Sequence, residues 1–261
     1  MAGRTFLGNL RLAILLAVLA FVALGAWLDR TRSTDWDGTL RVTVYPIAAT
    51  DDEATRAFVS RLDVASFDEV TAFLADEAAR YGIALDEPVS LRVSHAARAA
   101  PPAPPERPGP LSVAFWSLKL RYWAWRVAAN DPLPPPDVQV FALYHPLDGG
   151  TAAPDSTGLQ KGLVAISHLY ADGAASGSNA VVVAHELLHT LGATDKYEPG
   201  TGQPLVPDGL GEPDRVPRYP QETGEIMAGR IATSASEAVI PDSLSSLAVG
   251  PVTAREIGWM R

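Results

Sequence analysis

Apolar and polar positions alternate over Thr39 to Ile47 (TLRVTVYPI), placing Leu40, Val42 and Val44 on one side with the two-residue period of a half-buried strand. Val89 to Val93, Val138 to Tyr144 (VQVFALY) and Gly162 to Leu169 (GLVAISHL) are further short apolar runs, each expected to be a strand. Helical patterns lie between them. Ser66 and Glu69 have the spacing of a capping box ahead of a pattern through Phe73, Leu74 and Tyr81, and Gly82 stands where that helix would stop. Leu111 to Ala129 has no internal Gly or Pro and is long enough for a five-turn helix. It carries Phe115, Trp116, Leu118, Leu120, Tyr122, Trp123 and Trp125; such aromatic helices build cores, and packing is the expectation here. The interleaved Lys119, Arg121 and Arg126 leave a membrane-surface or base-stacking role as the alternative. Residues 100–110 (APPAPPERPGP) are too rich in proline for either regular element and read as a surface loop. Strands alternating with helices predict an α/β (α+β) layer fold, and no internal repeat competes with it.

The first 35 residues follow a different pattern. Leu12 to Leu28 carries no charge over 17 residues, the lower end of what spans a hydrocarbon core, and Arg4 and Arg11 precede it. The segment is expected to be a transmembrane anchor, with residues 36–261 forming one domain outside the cytoplasm. The alternative is a signal peptide cut after Gly25, releasing a secreted or periplasmic protein.

Composition narrows the partners. A net charge of -9 and a pI near 5.0 argue against a nucleic-acid backbone, and no basic run offsets them locally. Cysteine is absent, so disulfides and thiolate metal sites are excluded. A metal must then bind through His and carboxylate.

Those residue types occur together in one segment. Behind N-cap candidates in Ser176 to Asn179, the run Ala180 to Leu191 is helical in pattern and contains His185, Glu186 and His189. Two histidines four apart project from one face of a helix, in position to share an ion. Glu186 beside them can reach a metal-activated water as general base without being a ligand. Gly192 can take a left-handed conformation that turns the chain back, bringing Asp195 round as third ligand and leaving a fourth tetrahedral position open. A downstream Glu222 or Glu225 is the competing third ligand. Zn²⁺ is the expected ion and a protein or peptide the expected substrate; the rival reading is a membrane-tethered metal-binding or scaffold protein without turnover. His168 is expected to be structural. Asp208, Glu212, Asp214 and Glu222 offer carboxylates for a structural calcium but without a recognisable ligand spacing.

The run His185 to Asp195 (HELLHTLGATD) resembles the extended zinc signature of the metzincin metallopeptidases, HExxHxxGxx followed by His or Asp, and within them the Asp-bearing, snapalysin-like variants. The resemblance implies a twisted mixed sheet above the active helix and a methionine turn beneath the metal. Met227, in Gly224 to Gly229, lies 32 positions beyond Asp195 and is assigned to that turn. It also implies a closing C-terminal helix over Thr253 to Trp259, for which Thr253 and Glu256 have capping-box spacing. No Tyr follows Met227 as it does in some branches. Tyr197 is the candidate to stabilise the oxyanion in its place, or else a packed aromatic behind the ligands.

Overall fold

The computed structural model describes residues 34–107, 109–147, 156–159 and 163–260, together with residue 8. The hydrophobic run 12–28 and the Asp148 to Gly150 turn lie outside the described residues. No helix among those described is long and apolar enough to cross a membrane.

A five-stranded sheet organises the chain into a mixed α/β structure. In chain order, β1 (Leu40–Ala48), β2 (Val89–Val93), β3 (Val138–His145), β4 (Thr157–Leu159) and β5 (Val164–Tyr170) pair in the spatial order β2-β1-β3-β5-β4. The first four in that order run parallel, with Val42 opposite both Leu91 and Val138, and β4 closes one edge antiparallel to β5. Four helices, α1 (Glu53–Val59), α2 (Asp68–Arg80), α3 (Pro110–Ala129) and α4 (Ser176–Leu191), cover it. Small strand pairs follow: β6 (Gly224–Glu225) with β9 (Leu247–Ala248), and β7 (Ile231–Ala232) with β8 (Ala238–Val239). The short helix α5 (Pro251–Glu256) comes last.

Two cores lie on the two faces of the sheet. Val42, Val44, Val140 and Ala142 meet α2 and α4 on one side; Tyr45, Ile47, Phe141 and Leu143 meet Leu120 and Ala124 of α3 on the other. This corrects the half-buried reading of β1. It lies between two parallel neighbours with helices on both faces, so residues Val42 through Ile47 are all buried.

Three further expectations change. The capping box before α2 is Asp63 with Ser66, opening a 3-10 turn at Val64–Phe67, while Glu69 reaches across the fold to accept the Leu244 N–H at 2.8 Å. Thr253 does not cap the last helix, which starts after Gly250 with Pro251 in its first turn. The expectation that α3 is a core helix holds for one face only. Leu120 and Ala124 are buried, but Leu111, Phe115, Leu118, Tyr122 and Trp125 are exposed. A single helix over one sheet face can bury only the stripe it turns inward.

Candidate metal centre

The helix that carries His185 and His189 is held from both ends. Ala180, Val181, Val183, Ala184, Leu187, Leu188 and Leu191 are buried in the core it shares with the sheet. None of the Ser176 to Asn179 side chains caps it. Asp172 caps a preceding 3-10 turn at Gly173–Ala175, and the Asn179 side chain accepts from the Tyr170 N–H and donates to its carbonyl, stitching α4 to β5. At Gly177 an added Cβ would stand 2.2 Å from the Asp242 carbonyl oxygen, so only glycine allows the helix to pass that close to the neighbouring loop.

At its far end the helix stops at Gly192, whose φ of 109° is the left-handed turn that the sequence predicts. The chain doubles back, and Asp195 meets both imidazoles. Its Oδ1 lies 3.3 Å from His185 Nε2 and 3.1 Å from His189 Nε2. Each Nδ1 is already committed: His185 donates to the Ile226 carbonyl at 3.0 Å and His189 to the Ala193 carbonyl at 2.8 Å. Those bonds fix both rings and direct each Nε2 toward Asp195, where deprotonation would free its lone pair for an ion.

Residues present and ion fit each other. Tetrahedral zinc with bonds of about 2.0–2.1 Å sets its ligand atoms roughly 3.3–3.4 Å apart, close to the two separations seen. Among the described residues, His185, His189 and Asp195 are the group of His, Asp and Glu side chains able to hold a metal ion. The competing ligands are not brought in. Glu225 is fully buried and accepts from the Ala228 and Gly250 N–H groups and the Thr253 hydroxyl, while Glu222 pairs with Arg215. Glu212 likewise faces Arg215 and the backbone N–H groups of Glu222 and Thr223, and Asp208, Glu212, Asp214 and Glu222 are not among the metal-capable groups of the described residues.

Glu186 is buried and its Oε2 has no hydrogen-bond partner. Burial pushes its carboxyl up to about 7, His185 opposing and Asp195 adding to the shift. A cation held beside it acts in the opposite direction, toward the carboxylate that a general base needs. Burial lowers His189. It also acts to lower His185, but the bond to Asp195 and the Glu186 charge carry that imidazole above its ordinary value. The His185 bond holds Asp195 below the usual carboxylate range.

Glu186, but none of the three candidate ligands, also lines a cleft of about 690 Å³, together with Ser156, Tyr197, Gly200, Ala228 and Arg230. Tyr197 thus shares the cleft with Glu186, and its backbone bridges to Pro204. Met227 is fully buried in a 3-10 turn at Ile226–Ala228, next to the carbonyl that receives the His185 Nδ1–H. The Met227 carbonyl accepts from the Lys196 N–H at 2.9 Å, tying the turn to the loop that carries Asp195.

Several supporting groups escaped the sequence reading. Glu256 accepts from Thr194 N–H and hydroxyl and from Lys196 Nζ, on both sides of Asp195, rather than capping a helix. His168 shares a 2.8 Å hydrogen bond between its Nδ1 and His145 Nε2, while its N–H donates to Ser156 in the cleft wall, contacts that agree with a structural role. A buried-charge pattern does not reveal such pairings, because the partners are far apart in sequence. A scan against protein-family models and a search of curated proteins find no match to the chain.

Proposed function

We propose that this chain is a zinc-dependent endopeptidase of metzincin type, with His185, His189 and Asp195 holding the ion and Glu186 as general base. The observation that carries the reading is the convergence on one carboxylate of two imidazole Nε2 atoms from the same helix as Glu186, whose Oε2 is unpartnered and whose side chain lines an open cleft. When bound, zinc supplies the Lewis acidity that makes water nucleophilic near neutral pH and polarises a carbonyl. Glu186 takes the proton from the attacking water and returns it to the leaving amine. The Ile226 and Ala193 carbonyls keep both imidazoles in the ligating tautomer throughout. Tyr197, which lines the same cleft, would be the donor to the oxyanion.

A peptide substrate is favoured by the sheet edge. Strand β4 ends the sheet next to α4, and an extended chain could add to its outer side as a further strand. The twisted sheet above the zinc helix and the Met227 turn beneath it belong to the same proposal, as does anchoring by residues 12–28 with the catalytic domain outside the cytoplasm. Incubating the full chain in detergent with a denatured protein mixture tests the reading. Fragments should form, stop with chelator and resume with added zinc; an intact mixture at full zinc loading would favour a metal-binding protein without turnover.

A further inference from the structure

Helix α3 presents an apolar stripe to solvent. Leu111, Phe115, Leu118, Tyr122 and Trp125 repeat at intervals of four and three, which places them on one face, and they are 87%, 72%, 64%, 59% and 62% exposed. The opposite face, with Trp116, Leu120, Trp123, Ala124 and Val127, is the one that packs on the sheet. Helical spacing puts the exposed Lys119 and Arg126 along one flank of the stripe, whereas Arg121 on the other flank is partly buried, with its Nε in the interior. The helix contains no carboxylate, although the chain as a whole carries a net charge of -9; the nearest ones in sequence, Glu106 and Asp131, lie beyond its two ends.

We infer that α3 lies flat on an anionic lipid bilayer, its Leu-Phe-Leu-Tyr-Trp stripe at the level of the headgroups and its flanking cations on lipid phosphates. Three features favour a bilayer over a protein partner. The stripe is built of Trp, Tyr and Phe, whose amphipathic or flat rings suit the interface between water and hydrocarbon. Exposed Lys119 and Arg126 border it, complementary to anionic headgroups and at odds with the acidic remainder of the chain. The same chain also contains the uncharged run 12–28, which on the anchoring reading keeps it at a membrane. Because α3 covers the sheet face opposite α4, the helix can rest on lipid without covering the His185, His189 and Asp195 cluster.

The absence of cysteine allows a direct test. Nitroxide labels are placed on Leu118→Cys and, as a solvent reference on the other side of the sheet, on exposed Glu53→Cys. The full chain is reconstituted into lipid nanodiscs that are either purely zwitterionic or partly anionic. Collision of the position-118 label with a water-soluble nickel chelate should fall several-fold in anionic discs relative to position 53, with oxygen collision rising. Lys119→Glu with Arg126→Glu should abolish that difference. Equal nickel access at 118 and 53 in anionic discs overturns the inference, as does spin–spin broadening at 118, which would mark a second copy as the occupant. Entry of the chain into zwitterionic discs reports separately on the 12–28 anchor, so either reading can fail alone.

Discussion

The Glu256 carboxylate lies 2.8 Å from the Lys196 ammonium, 60 residues away in the chain, and the two side chains close around the segment that carries Asp195. Lys196 is 4% exposed, and its ammonium donates to that partner and to the Thr194 carbonyl and hydroxyl. Glu256→Gln keeps an acceptor for the Thr194 N–H but removes the charge. Zinc affinity should drop about tenfold or more, as for other groups that orient metal ligands. Titration against a competing chelator measures it. A fall in the melting temperature of the metal-free protein with affinity unchanged would show that the pair only stabilises the fold.

Asp195→Ala should remove most zinc binding, whereas Glu222→Ala should leave it intact, since Glu222 faces Arg215. Zinc content of the two purified variants separates the two ligand assignments.

Acid should release the metal in two stages. Both imidazoles must be neutral to bind, so affinity falls as pH falls and each is protonated. His185, held above its ordinary 6.5, titrates first, and His189, held below it, titrates later. Affinity should therefore decline by about tenfold per pH unit just below the His185 value and about a hundredfold per unit below that of His189. Zinc titrations across this range check the steepening, and a pH-independent affinity would exclude histidine ligation.

Glu225→Ala should be costly without touching a ligand. It orphans the Ala228 and Gly250 N–H groups and the Thr253 hydroxyl in the interior, a loss of at least about 3 kcal/mol by denaturant unfolding. Because those bonds hold the turn whose Ile226 carbonyl fixes His185, zinc affinity should fall with stability.

The parts of the site that depend on local geometry were legible in the sequence. Helical spacing placed His185 and His189 together, and the special conformation open to Gly192 brought Asp195 back to them. What escaped were contacts between distant segments. Ser66 with Glu69 and Thr253 with Glu256 both have capping-box spacing, yet Glu69 binds Leu244, Glu256 binds Thr194 and Lys196, and Thr253 binds Glu225. A local motif offers the side chain one partner, and a tertiary donor in a less solvated place wins it. Helix α3 misled for a related reason. Its composition signals burial, but how many faces are buried depends on the layers above it, and there is one sheet face beneath α3 among the described residues.

Glu186 is buried, and the charges it feels are those of His185 and Asp195. Zinc content and cleavage of a denatured protein substrate should be measured together for the wild type and Glu186→Ala. Zinc loading should be equal and hydrolysis lowered at least about a hundredfold, the contribution of a positioned general base. Zinc-loaded Glu186→Ala that cleaves as fast as wild type would contradict that role.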